Sequence, residues 1–485
     1  MTGFFSRPWK SLGRLLLLLL AVLVVVSVYH IYKPLPPGLD FQGPARPVRD
    51  VRFLADITYT DAAGERRTEQ HVFDEVFDMI DRAERFILVD MFLFNDFQGE
   101  VPETHRRLST ELTDRLIRQK REHPGMEVRV ITDPINTVYG GRPAEHLERL
   151  EAAGISVTLT DLTRLRDSNP LYSGFWRLLV QPWGNSREGW LPNPFGEGEV
   201  SLRSYLALLN FKANHRKLII ADQGKDYVAL VTSANPHDGS SAHGNVALRF
   251  DGPAVADLLQ SEQAVLKFSG GPGVQEALPP PGKINQASTD SLSLLVLTER
   301  AVERVLLDMI ERVEAGDRLD LAVFYLSDRD IVQALLRARE RGAQLRVLLD
   351  PNKDAFGRIK DGVPNRPVAH ELAQGGIDIR WCATTGEQCH AKWLQARYAD
   401  GRAAMILGSS NFTRRNLHNL NLETGVRLAG PADAESMLAA TDWFERRWHN
   451  RENRQFSVDY PVYADSSLWL RLKYRVMEAT GLSTF

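Results

Sequence analysis

Polar and apolar positions follow two rhythms along most of this chain, and the same succession of rhythms comes round twice. Val72, Phe73, Val76, Phe77 and Ile80 recur at three- and four-residue steps, the signature of a helix with one buried face. The run from Arg85 to Asp96 that follows carries a short apolar block and reads as a buried strand. Val302, Val305, Leu306, Met309 and Ile310, followed by Arg318 to Asp328, repeat that order. Each copy goes on through another helix to a strand ending in Asp-Pro, at Asp133-Pro134 and Asp350-Pro351. Glu148 to Gly154 and Glu371 to Gly376 then lead into further strands. Two apolar runs close each copy: Leu218 to Ala221 with Tyr227 to Val231, and Trp393-Leu394 with Ala403 to Leu407. Strands alternating with helices of this length predict an α/β fold with helices flanking a sheet in each half. Self-similarity on this scale predicts a duplication.

The rhythm breaks in four places. Arg7, Lys10 and Arg14 precede an apolar run from Leu15 to Val28, extended through Tyr29, Ile31 and Tyr32. Its length is at the short end for a bilayer span. With no small-x-small cleavage site before Lys33 to Pro37, it reads as an uncleaved signal anchor whose basic flank stays cytoplasmic. Between Asp133 and His215 the first copy spends 82 residues where the second, Asp350 to His390, spends 40. The excess near 163–210 holds Phe175, Trp176, Trp183, Trp190, Phe195 and Tyr205. It reads as a lid packed by its aromatics or as a surface dipping into lipid, and both stay open. A Gly/Pro/Ser-rich stretch from Ser269 to Asp290 is the natural connector between halves. Leu468 to Met477 mixes basic and apolar residues at helical spacing, as a packed terminal helix or one resting on an anionic membrane would. The expected organisation is an anchor over 1–36, a first lobe over 37–285 and a second lobe over 286–485 ending in that amphipathic tail.

Chemistry enters at matched positions of the two copies. The first reads His215-Arg216-Lys217, then Asp222, Ser233, Asn235 and Asn245. The second reads His390-Ala391-Lys392, then Arg397, Ser409, Asn411 and Asn421. From His to the first Asn is 20 residues in one copy and 21 in the other, and from that Asn to the next is 10 in both. Side chains two apart on a strand share a face, so each His and Lys project together while Arg216 or Ala391 turns away. The Ser-x-Asn element is expected at the end of the neighbouring strand. Each copy thus gathers a nucleophile or acid, an ammonium, an amide and a hydroxyl, which is half of a site for a phosphate diester.

These motifs resemble those of the phospholipase D superfamily, whose members carry two His-x-Lys-x4-Asp motifs in a duplicated fold. His215, Lys217 and Asp222 match the first motif. His390 and Lys392 match the second, with Arg397 where the motif has an acid. The strings Ser233 to Asp238 and Gly408 to Asn416 look most like bacterial cardiolipin-synthase-like members. The resemblance covers roughly residues 50–485 and implies two pseudo-twofold-related α/β lobes with one active site between them. It implies a phosphohistidine on one histidine, His215 by family practice, with His390 as general acid and base. Lys217, Lys392, Asn235 and Asn411 would hold phosphoryl oxygens, and Asp222 and Glu423 would orient their lobes' sites. Neither a metal nor another cofactor is required. The implied reaction is phosphatidyl transfer, making cardiolipin from phosphatidylglycerol. Phospholipase D hydrolysis, a membrane-anchored nuclease and a non-catalytic lipid-binding scaffold are the alternatives. The body would lie on the outer side of a bacterial inner membrane.

Composition changes this picture little. With 485 residues, 43% hydrophobic and 25% charged, two ordinary domains with real cores are affordable. A net charge of −3 shows no basic footprint, so nucleic acid is not the expected partner. The two cysteines, Cys382 and Cys389, either form a disulfide bracing the strand that follows His390 or remain thiols.

Overall fold

The computed structural model describes residues 6–98, 104–276, 291–355, 358–483 and 485. Two sheets carry the body. In the first, seven strands lie in the spatial order Val51–Ala55, Val246–Asp251, Asp226–Thr232, Lys217–Gln223, Phe86–Met91, Glu127–Thr132 and Ser156–Leu159. The second repeats that order with Ser293–Thr298, Thr424–Pro431, Arg402–Gly408, Lys392–Arg397, Arg318–Val323, Gln344–Leu349 and Asp378–Cys382. It adds Arg46–Pro47 at one edge and Ser457–Asp459 at the other. The last three strands of each seven run parallel through helical crossovers, and the rest pair antiparallel.

Both sheets are buried on both faces, which is why their central strands read as unbroken apolar runs rather than alternations. Leu218, Ile220, Val231 and Leu248 of the first sheet meet Met405, Leu407, Val426 and Leu428 of the second in one shared core. Outside the first sheet, Val72, Phe73, Val76, Phe77 and Ile80 of the helix Val72–Arg82 pack onto Ile87, Val89 and Ile219. Outside the second, Val302, Leu306, Met309 and Ile310 of Arg300–Glu311 cover Leu319, Leu321 and Leu394 in the same way. The result is helices, sheet, sheet, helices. The elements expected from periodicity are present at both sets of positions.

The ends of the two sheets are exchanged. The helix Glu435–His449, from the second half of the chain, packs on the first sheet's edge strand Val51–Ala55. The helix Ala254–Ser269 packs on the second sheet's strand Ser293–Thr298. The expected connector begins where Ala254–Ser269 ends, and its 277–290 part, with the 285/286 boundary, lies outside the described residues.

At the amino terminus a helix spans Ser6–Tyr32, and its segment Ser11–Tyr32 is long and apolar enough to cross a membrane. It rests on the insertion. The Gly174 amide donates to Ser27 Oγ at 2.8 Å, and a Cβ on Gly174 would fall 2.3 Å from the Leu23 carbonyl oxygen. Glycine is needed there for close approach. The insertion buries Trp176 but leaves Trp183 and Trp190 each 71% exposed, with Leu171, Phe175 and Leu179 also outward. Its large aromatics are therefore not all used as packing. The terminal helix Leu468–Thr480 buries Tyr474 and Glu478 and exposes Leu468, Trp469, Leu472 and Val476.

Candidate active site

Each histidine sits immediately before a central strand, and the loop it sits on is stitched to the other lobe. The His215 amide donates to the Leu422 carbonyl at 2.9 Å, and the His390 amide donates to the Gly244 carbonyl at 2.8 Å. The amide before each is held by the aspartate of the repeated Asp-Pro. Asp133 accepts from Asn214 N at 2.7 Å, and Asp350 accepts from Cys389 N at 2.8 Å. Lys217 Nζ donates to the His215 carbonyl at 2.7 Å, and Lys392 Nζ to the His390 carbonyl at 2.6 Å. A phenylalanine backs each pair. Phe92 lies 4.8 Å from the His215 ring and 5.0 Å from Lys217 Nζ, and Phe324 stands 5.2 Å and 5.3 Å from the second pair. Arg216 is turned away, as expected, and is fully buried between Glu262 and Glu299 at 2.7 Å each.

The partners of the two histidines come from the opposite lobes and differ in charge. His215 Nδ1 is 3.0 Å from Glu423 Oε2, and His390 Nδ1 is 3.1 Å from Asn245 Oδ1. Glu423 also accepts from Ser409 Oγ and Asn416 Nδ2. Asn245 Oδ1 accepts from Ser233 Oγ at 3.1 Å, while its amide nitrogen donates to the His243 carbonyl and to Asp56. That network fixes the amide's orientation and makes His390 Nδ1 the donor. A carboxylate can only accept, so His215 Nδ1 donates as well. Both Nε2 atoms are left with a lone pair.

Burial dominates the electrostatics. It lowers His215 to about 4, against the pull of Glu423, and lowers His390 well below the usual imidazole value, helped by Lys392. Burial also brings Lys217 down to about 7 and Lys392 well below the ordinary lysine value. Glu423 is held below the usual carboxylate value, burial being outweighed by His215 and Lys217. The charged form of each of these four histidine and lysine groups is one that a phosphate anion would favour.

The structure gathers His215, Lys217, Ser233, Asn235, Asn245, His390, Lys392, Ser409, Asn411 and Glu423 around this point, all nine-tenths or more buried. Asn235 Oδ1 accepts from Leu93 N at 3.3 Å, and Asn411 Oδ1 is buried with no partner among the described residues. Asp222 does not join them. It stands at the far end of the strand Lys217–Gln223, where its carboxylate accepts from the amides of Glu84, Arg85 and Phe86 at the start of the adjoining strand. Five residues of strand separate it from Lys217, roughly 17 Å. Arg397, at the matching place, reaches Asp320 at 3.0 Å and joins Arg346 and Glu445 away from the cleft.

Asn421 is not the counterpart of Asn245. Asn245 and Glu423 each immediately precede the last inner strand of their lobe, Val246–Asp251 and Thr424–Pro431, and each takes a hydrogen bond from its lobe's Ser. The second loop is two residues longer, so equal spacing lands on Asn421. That residue instead accepts from Ala213 N at 3.0 Å and shapes the backbone before His215. Asp133, Asp350, Phe92 and Phe324 were not singled out for the site by spacing, although the recurring Asp-Pro and the matched Phe were visible signals. Cys382 and Cys389 are joined in a disulfide directly before His390. Elsewhere, Glu303, Asp328, Asp330 and His418 cluster, but Asp328 caps the helix Arg329–Glu340 and bonds His418, and Glu303 pairs with Arg300.

Two facing half-sites of this kind lie on two sheets of one strand order, in a duplicated fold. Residues 306–448 match the family described as cardiolipin synthase, PLD-like domain. Over 91% of its length the chain is similar to phosphatidylserine synthase from Haemophilus influenzae Rd KW20, covering 96% of that protein at 12% identity and TM-score 0.57. It is also similar to polyphosphate kinase from Porphyromonas gingivalis (13% identity, TM-score 0.46, 89% of this chain and 53% of that one). A third similarity is to the phospholipase D family member Nuc from Salmonella typhimurium (19%, TM-score 0.26, 35% and 98%). No curated protein sequence matches. At such identity the first structure shows the fold alone, and the family match is confined to residues 306–448. Those residues resemble that family's domain, and the chain as a whole shares the fold of the first structure.

Proposed function

We propose that this protein is a membrane-anchored phosphatidyl transferase that makes cardiolipin from phosphatidylglycerol. The observation that carries the reading is the unequal pairing of the two histidines, a carboxylate behind His215 and a neutral amide behind His390. Attack by His215 Nε2 on phosphorus forms a P–N bond and places positive charge on the ring, which Glu423 offsets. The P–O bond to the glycerol head group breaks, and His390 Nε2, protonated in the complex with the anionic substrate, gives its proton to the leaving oxygen. His390 then takes the proton of the incoming alcohol, whose oxygen displaces His215. Lys217, Lys392, Asn235 and Asn411 hold the non-bridging oxygens. The lipid assignment is supported by the cardiolipin-synthase character of the matched domain and by a helix fit to cross a membrane.

Purified protein in detergent micelles with labelled phosphatidylglycerol tests it, with His215→Ala alongside. Cardiolipin and free glycerol, absent from the variant, are expected. Phosphatidic acid alone would make the protein a hydrolase. Degradation of a single-stranded oligonucleotide without lipid turnover would replace the lipid reading with a nuclease.

A further inference from the structure

Joining two phosphatidylglycerol molecules brings two phosphates to one cleft, and the half-sites account for only the reacting one. Arg415 is a second cation beside them. Its guanidinium lies over the Phe211 ring at 5.3 Å, four residues before His215. Its carbonyl accepts from Asn421 N, and the Asn421 side chain accepts from Ala213 N, so it shares the backbone that seats His215. Tyr139 and Tyr325 lie close enough to act on its charge, and Tyr325 follows the Phe324 that packs on His390. The residue is thus tied through its backbone to the His215 loop and lies near the residue that follows Phe324.

What Arg415 lacks is a counter-ion. Its only side-chain hydrogen bond runs to Ser483 Oγ at 3.4 Å, and among the described residues no carboxylate lies within ion-pair reach. Glu478, the acid whose charge acts on it, is committed to Ser327 Oγ and the Arg414 amide. Its neighbour Arg414 has a buried Nη1 with no partner, and Lys360 Nζ points to Tyr325 Oη at the same side of the cleft. Partial withdrawal from water lowers Arg415 to about 10, with no carboxylate paired to it among the described residues. An arginine partly withdrawn from water without an anion beside it is unfavourable to the fold. One that meets a phosphate on binding is well used, because its fork matches phosphate oxygens.

We propose that Arg415 binds the phosphate of the acceptor lipid, and so selects an alcohol that already carries a phosphodiester. This deepens the transferase reading and rests on it. The test compares transfer from phosphatidylglycerol to a second phosphatidylglycerol with transfer to ethanol, in Arg415→Gln and Arg415→Lys. In Arg415→Gln the first is expected to fall at least tenfold more than the second, and Arg415→Lys to recover part of the difference. Equal losses in both reactions, or none, would overturn the assignment. Binding is read separately by titrating full-length protein in detergent with sn-glycerol 3-phosphate. Two sites in the native protein and one in Arg415→Gln are expected, and one site in both would also overturn it. Two sites without any lipid turnover would leave the anion pocket standing and remove the transferase reading instead.

Discussion

Glu423 accepts from His215, Ser409 and Asn416 at once, and its own amide donates to Glu299, so its carboxylate has little freedom to move. Glu423→Gln keeps the shape of this arrangement and removes its charge. A hydrogen bond to a charged group is worth about 1.5–3 kcal/mol, so rapid-quench measurement of phosphohistidine formation should show a loss of roughly 10- to 100-fold. The pH profile follows from the same burial. As the proposed nucleophile His215 would attack only when neutral, and with a value of about 4 that form is lost as pH falls through that point. Lys217 works only when protonated, and at about 7 it is lost as pH rises. His390 must also be protonated to act as the acid, and burial holds it well below the usual imidazole value. The kcat/KM profile should therefore peak on the acid side of neutrality and fall as pH rises, while bound phosphate should carry the alkaline limb of kcat upward. Asp222 and Arg397 belong to a different ledger. Asp222→Asn should cost about 1–3 kcal/mol of stability through three weakened amide contacts. Arg397→Asp, which restores the motif, should lower Tm by setting a carboxylate against Asp320, with no gain in turnover.

At the scale of elements, the loop closed by Cys382 and Cys389 delivers His390 to its strand. Closing so short a loop stabilises by about 2–3 kcal/mol in the chain-entropy account. Replacing both cysteines by serine should lower Tm by several degrees, read by calorimetry. The insertion yields a second expectation. Leu178 lies in the turn Trp176–Val180, just after the short helix that carries Gly174 onto the anchor helix. A polarity-sensitive dye on Leu178→Cys should shift blue in lipid vesicles, and one on the exposed Leu438→Cys of Glu435–His449 should not. Helices, strands and the two His-Lys pairs were legible because each is a local period or a two-residue step. The partnership of Glu423 with His215 was not, because it runs across lobes and its loop is two residues longer than its counterpart. Asp222 misled for a related reason: spacing along a strand does not reveal that the strand carries its far end out of the site.

On the scale of the whole molecule, the lobes depend on each other. Each histidine is oriented by a residue from the opposite sheet, and each histidine loop is hydrogen-bonded to the opposite loop. The exchanged helices Ala254–Ser269 and Glu435–His449 add apolar contact to the same interface. A site assembled from two separate copies of one half would be bound to give both histidines the same partner, whatever that partner was. Joining the halves in one polypeptide lifts that symmetry. Position 245 and position 423 can then mutate independently, one to an amide and the other to an acid. The division of labour between nucleophile and proton donor is in this sense a freedom conferred by covalent linkage, and a duplicated chain can refine each role without spoiling the other.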